Sequence, residues 1–196
     1  MLENDVQLRK SIRQQIRQKR QQLTKSQQQQ AAQYISQQVS SDPNVQSAQT
    51  IALFLSFDGE IDTMPLIQQL WQREKHVYLP VLHPFNRHSL LFLAYTPTTQ
   101  LVKNRFNIQQ PALDVQQVLP LNQLDIMLIP LVAFDLIGQR LGMGGGFYDR
   151  ILAGWQQKGF YPIGLAHQCQ QVDKLPAATW DIPLPEIITP QKIWRW

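Results

Sequence analysis

The stretch from Asp125 to Arg150, DIMLIPLVAFDLIGQRLGMGGGFYDR, decides the fold class. Asp125 to Val132 is an almost unbroken apolar run of strand length, as expected for a strand covered on both faces. The glycine-rich segment 138–146 follows it, and Phe147 to Trp155 then reads as a helix. Working outward, Thr50 to Phe57 (TIALFLSF) is another nearly continuous apolar run. His76 to Leu82, Leu90 to Thr96 and Tyr161 to Ala166 have the length and β-branched or aromatic content of further strands. Between the first two of these runs, Thr63 is placed to cap a helix reaching Arg73, with Met64 and Pro65 in its first turn. Residues 97–120 contain three prolines and little periodicity, so they read as a long excursion; the tail after Ala166 reads as irregular. Strands alternating with helices predict an α/β fold: a mainly parallel sheet flanked by helices, Rossmann-like and three-layered, with ligands at the carboxyl ends of its strands. No linker or internal repeat divides the 196 residues, and one domain over 1–196 is expected.

Two helices precede the first strand. Leu8, Ile12 and Ile16 recur every four residues, the stripe of an amphipathic helix, and Arg9, Arg13 and Arg17 follow it one position on. By helix geometry the arginines rim the buried stripe, either as a solvated basic face or as an anion-binding edge over a neighbouring cleft. The Gln-rich stretch Gln27 to Gln30 runs into Ala31, Ala32, Tyr34, Ile35 and Val39 at helical spacing, so it reads as a second helix ending at Ser40-Ser41-Asp42-Pro43.

The formal charge is +4 and the pI near 9.3, but the excess is local. Residues 1–25 hold seven basic side chains against two acids, leaving 11 basic and 12 acidic residues beyond Lys25. A single basic helix on a nearly neutral body suits a phosphorylated small molecule as readily as a polynucleotide. The longest apolar stretch is too short to span a bilayer and the opening does not read as a signal peptide, so a soluble, cytoplasmic chain without a membrane partner is expected. Cys169, the only cysteine, suits a reducing compartment, and nothing in the sequence marks it as a nucleophile. His76, His83, His88 and His167 lack zinc-site spacing.

Four glycines in five residues, Gly142 to Gly146, let the backbone approach a ligand closely, and the following helix aims unpaired N–H groups and a positive dipole end at the same place. That suits a polyphosphate, although a tight structural loop would use the same residues. No Gly-Lys-Ser/Thr follows, and Phe147 stands where a dinucleotide fingerprint needs its third glycine. Asp149 in the helix's first turn either complements the dipole or holds Mg2+ against the phosphates.

RLGMGGGFYDR resembles the signature loop of the 5-formyltetrahydrofolate cyclo-ligases. LRKSIRQQIR resembles that family's opening basic helix, FLSFDGEIDT its first strand and turn, KNRFNIQQP its middle segment and WDIPLPEIIT its closing segment, all in family order. The resemblance implies ATP-dependent cyclisation of 5-formyltetrahydrofolate to 5,10-methenyltetrahydrofolate, with release of ADP and phosphate. ATP phosphorylates the formyl oxygen, and N10 attacks the activated carbon. Carried onto this sequence, it implies that Arg9, Arg13, Arg140 and the segment Gly142, Met143, Gly144, Gly145, Gly146, Phe147 and Tyr148 hold ATP. Arg140 and Tyr148 would also lie near the reacting groups. Asp149 would bind magnesium, with Asp181 as a second ligand, and Leu55, Phe57, Glu60 and Phe106 would line the folate site. From the residues alone, Leu55 and Phe57 could equally be core, Glu60 a solvated turn residue and Phe106 a loop anchor. Two departures stand out: some relatives have Lys at the position of Gly145, for which Lys103 is a candidate substitute, and Met143 replaces larger or charged residues. The expected partners are ATP, Mg2+ and a folate, without nucleic acid, and the chain is expected to be a monomer. The competing readings are another ATP- or phosphate-binding α/β enzyme, or a nucleic-acid-binding module using the basic helix. Trp194 and Trp196 are expected to cover apolar surface.

Overall fold

The computed structural model describes residues 3–196. Three helices, α1 (Glu3–Gln21), α2 (Lys25–Ser41) and α3 (Pro43–Ser47), precede β1 (Thr50–Ala52). Helix α4 (Met64–Gln72) leads to β2 (His76–Leu82) and β3 (Leu90–Ala94). The excursion holds a hairpin, β4 (Leu101–Lys103) with β5 (Gln109–Pro111), and the short β6 (Val118–Leu119). Then come β7 (Ile126–Pro130), the ribbon of β8 (Ala133–Phe134) and β9 (Arg140–Leu141), and α5 (Phe147–Leu152). Strands β10 (Tyr161–Leu165), β11 (Glu186–Ile188) and β12 (Ile193–Arg195) complete the order.

Among the described residues, eight strands form the main sheet in the order β12-β11-β10-β7-β1-β2-β3-β6. The five from β11 to β2 run parallel, and β12, β3 and β6 add antiparallel edges. Successive strand side chains point to opposite faces. Ile126 and Leu128 therefore pack with Ile35, Val39, Leu66, Ile67 and Leu70 of α2 and α4, while Met127 and Ile129 pack with Ile151 and Leu152 of α5. Both faces are covered, which is why β7 reads as an unbroken apolar run; each such Leu or Ile contributes about 1.5–3 kcal/mol by leaving water.

Helix α1 lies off both sheet faces. Its Ile16 packs on Val132, Ala133 and Leu141, at the carboxyl end of the sheet. The expected stripe is corrected at its start: Leu8 is 50% exposed, and Arg9 and Arg20 are buried beside Ile16 instead. The surface beneath α1 presents carboxylates and carbonyls, so it receives guanidinium groups where a sheet face would demand aliphatics.

Four other expectations change. Only Thr50 to Ala52 of the 50–57 run are strand, because β1 sits where the strand order reverses and the chain peels away into the crevice beyond it. Thr63 occupies the N-cap position of α4, but its hydroxyl donates to the Phe54 carbonyl at 2.5 Å, and the Asp62 carboxylate accepts from Met64 N–H instead. Helix α5 stops at Leu152, and Gly154 then takes φ +66. The tail is not irregular throughout, since β11 is buried beside β10 and β12 closes that edge. Trp194 meets Phe134 edge-on and stacks on Trp196, whose indole N–H donates to Leu136 O at 2.7 Å.

Candidate active site

From β1 the chain crosses through α4 to β2 on one side, while β7 lies on the other. This is a topological switch point, the place where open α/β sheets take their ligands. A cavity of about 730 Å³ opens there. Its walls bring together Arg9 and Arg13 of α1, Leu55, Phe57 and Glu60 beyond β1, Phe106 of the hairpin loop, and Arg140 with the run Gly142–Asp149. Asp181 and Lys103 are absent from those walls, and Lys103 is exposed on β4. Trp180, which the sequence reading passed over, joins the lining and is 56% exposed.

The glycine loop is open towards the cavity. Gly144 has φ +101 and Gly146, the N-cap of α5, has φ +66, both in the region that favours glycine. Among the described residues, no hydrogen bond has a backbone N–H of residues 142–146 as donor. Arg13 Nε donates to Gly142 O at 2.8 Å, and its guanidinium lies 3.7 Å from where a Cβ on Gly144 would stand. Arg13 makes no ion pair among the described residues, and burial pushes its pKa down, reinforced by nearby Arg9. A side chain at Gly145 would come within 2.9 Å of the Phe147 ring, which itself meets Phe106 edge-on.

Arg140 is 3% exposed and donates to Asp149 Oδ1, while its buried Nε has no partner. Burial pushes its pKa down, against the pull of Asp149. Arg9 works differently. Its two terminal nitrogens donate to the two carboxylate oxygens of Asp181, and one also donates to Pro176 O at 2.8 Å. Ala178 N–H donates to Asp181 as well, at 2.7 Å. Asp181, expected as a second metal ligand beside Asp149, is here engaged by Arg9 through both carboxylate oxygens. Its oxygens face Arg9, and the pair ties segment 176–181 to α1.

The sequence profile of the 5-formyltetrahydrofolate cyclo-ligase family matches residues 5–190. The chain belongs to that family. It is 58% identical over 181 residues to the 5-formyltetrahydrofolate cyclo-ligase of Escherichia coli, covering 92% of this chain and 100% of that one. The Haemophilus influenzae 5-formyltetrahydrofolate cyclo-ligase is 56% identical over 184 residues, covering 94% and 98%. The solved structure of Aquifex aeolicus 5,10-methenyltetrahydrofolate synthetase superposes with a TM-score of 0.82 at 27% identity, over 96% of this chain and 92% of that one.

In this cyclo-ligase family member, the wall opposite the glycine loop is the turn after β1. Phe57 N–H donates to Glu60 Oε2 at 3.2 Å, and Glu60 N–H returns a bond to Phe57 O at 3.1 Å. Burial pushes the Glu60 carboxyl up to about 7, while Arg20 pulls it back. Burial also raises the Tyr148 phenol far above its usual range, helped by Glu60 and opposed by Arg140, so Tyr148 stays a neutral O–H donor. His167, buried beneath the turn, is pushed down to about 4 by burial and by Arg20. The sequence reading missed Arg20 and Asp58, which hold this turn. Arg20 lies four residues beyond Ile16, and Asp58-Gly59 is a turn signal, so both left a trace.

Proposed function

We propose that this chain, acting as one domain, converts 5-formyltetrahydrofolate and ATP to 5,10-methenyltetrahydrofolate, ADP and phosphate. One observation carries the reading: the unpartnered N–H groups of residues 142–146, the unpaired guanidinium of Arg13 and the free Nε of Arg140 meet on one wall. Such a wall suits a polyphosphate, and the apolar side chains of Leu55, Phe57 and Phe106 elsewhere in the cavity suit a fused-ring substrate.

In this reading the loop amides with Arg13 and Arg140 hold the phosphates, and Arg9, braced by Asp181, contributes positive charge. Asp149 would hold the magnesium. Its Oδ1 accepts from Arg140, its Oδ2 accepts no hydrogen bond among the described residues, and its side chain is 21% exposed, which fits an oxygen donor to a hard cation. When bound, Mg2+ would neutralise phosphate oxygens and favour phosphoryl transfer. Asp181 would be free to join it only after releasing Arg9. Leu55, Phe57, Glu60 and Phe106 receive the folate. The formyl oxygen takes the terminal phosphoryl group as the bond to ADP breaks. N10 then attacks the formyl carbon, and the carbon–oxygen bond breaks to release phosphate. Tyr148 supplies a neutral hydrogen-bond donor near the developing charge, and the protein's main contribution is positioning.

Absorbance detection of methenyltetrahydrofolate, with 5-formyltetrahydrofolate and ATP supplied with and without Mg2+, tests this. Product that requires both ATP and Mg2+ is expected. No product refutes the reaction, and full activity in a chelator refutes the metal assignment.

A further inference from the structure

Arg20 is fully buried, although it stands outside the phosphate wall. Its Nη2 donates to the side-chain Oδ2 and to the backbone carbonyl of Asp58, both at 2.9 Å. Its Nη1 donates to Leu131 O at 3.4 Å and lies 3.9 Å from Glu60 Oε1. These partners belong to the turn after β1 and to the end of β7, the two segments flanking the switch-point crevice. Asp58 itself adopts φ +53, in the left-handed region that few non-glycine residues occupy and that Asp and Asn tolerate best. Its carboxylate accepts not only from Arg20 but also from Arg17 Nε and Nη2 and from Gln21 Nε2. Three side chains of one helix thus converge on a single turn.

Stability alone is a poor account of this cluster, because an apolar side chain of similar volume fills a core as well as a buried ion pair does. What an apolar residue cannot do is fix the direction of a loop that carries a polar group into a cavity. We propose that Arg20 and Asp58 are positioning residues that hold the Phe57–Glu60 turn, and with it the Glu60 carboxyl, in register with the folate. The proposal rests on the reading of that turn as the folate wall.

The charged and titratable groups facing Glu60 are Arg20 from α1, Asp58 in its own turn, Tyr148 from α5 and His167 beyond β10. Arg20 lowers the Glu60 pKa and Asp58 raises it, so their removal moves the titration in opposite directions. Steady-state kinetics with each substrate varied, repeated across pH, provides the test on Arg20→Met, Arg20→Lys, Asp58→Asn and Glu60→Gln. Arg20→Met is expected to raise KM for the folate about ten-fold or more while KM for ATP stays within about two-fold. It also shifts the Glu60 limb of kcat/KM for the folate to higher pH. Asp58→Asn, whose amide tolerates the left-handed turn, raises the same KM and shifts the limb to lower pH. Arg20→Lys keeps the limb in place and recovers part of the KM, because it retains the charge without the planar fork. If Arg20→Met does not fold, Arg20→Lys and Asp58→Asn still carry the comparison. Equal changes in both KM values, or a lowered melting midpoint with an unmoved limb, would make the cluster merely structural and overturn the proposal. If Glu60→Gln leaves KM for the folate unchanged, the turn is not the folate wall; the proposal then falls with that reading, a result distinct from failure of the clamp alone.

Discussion

Glu60 changes charge near neutrality because burial of its carboxyl against the cavity outweighs the pull of Arg20 and of the Phe57 N–H, which draw its pKa back down. An unfolded glutamate releases its proton near 4.5, whereas here the folded chain keeps it until about 7. Between those values the native state binds the extra proton, so this residue makes stability fall as pH rises from about 4.5 to about 7, then level off. Glu60→Gln should flatten that part of the profile, seen as a wild-type-minus-variant difference in urea midpoint that changes between pH 5 and 7 and is constant above 8. A constant difference throughout would mean that Glu60 titrates normally. Asp149 is the second residue whose charge matters. Asp149→Asn should lower ATP-dependent turnover roughly 100-fold or more, since an amide holds Mg2+ poorly and leaves buried Arg140 without its carboxylate. Near-normal turnover at ordinary magnesium would leave Asp149 as Arg140's ion-pair partner and nothing more.

At the scale of elements, the loop between β9 and α5 and the helix α1 act as one unit. Gly144 at φ +101 faces the Arg13 guanidinium, so a β-branched side chain there both strains the backbone by about 1–2 kcal/mol and sets its methyl groups against Arg13 in the cavity wall. Gly144→Val should abolish ATP binding in calorimetry, along with the thermal stabilisation that ATP confers. Its melting midpoint without nucleotide should stay within a few degrees, because a ligand loop adds little to the core. Normal ATP affinity in this variant would remove the loop from the phosphate site. Helix α1 serves both walls: Arg9 and Arg13 line the cavity on the glycine-loop side, and Arg17, Arg20 and Gln21 grip the turn that carries Glu60.

Across the whole molecule, the chain's last strand fastens its first helices. Arg195 on β12 donates to Asp42, the N-cap of α3, and to Glu186 on β11, and both carboxylates are fully buried. Burial raises the Glu186 pKa while Arg195 opposes it. Arg195→Ala leaves Asp42 with only the α3 backbone N–H groups and Glu186 with only the Tyr161 hydroxyl, and should cost roughly 1–3 kcal/mol at pH 7, with a smaller loss at pH 5, because the raised Glu186 pKa favours the neutral acid as pH falls. Urea unfolding at the two pH values checks this, and an equal loss at both would point to lost packing instead.

The apolar runs at 50–57, 76–82 and 125–132 and the glycine cluster at 142–146 were enough to set the α/β class and the loop at its ligand end. Strands covered on both faces and loops that need left-handed φ restrict residue type over several consecutive positions, so they are legible one residue at a time. The motif order likewise placed Arg9, Arg13, Leu55, Phe57, Glu60, Phe106, Arg140 and Asp149 around one site. Other features took shape only in three dimensions. β11 and β12 are three residues each, too short to show a period, and their place follows from pairing beside β10. Asp181 and Asp149 are both carboxylates near arginines, and only the packing of segment 176–181 against α1 gives Asp181 to Arg9. Arg20 belongs to a basic helix that reads as a surface, yet it is buried, because acceptors for a guanidinium at that point come from residues 58 and 131, far away in the chain. Local chemistry restricts which residues can form a strand or a phosphate loop, whereas the partner of a buried charge is set by which distant segments the fold brings against it.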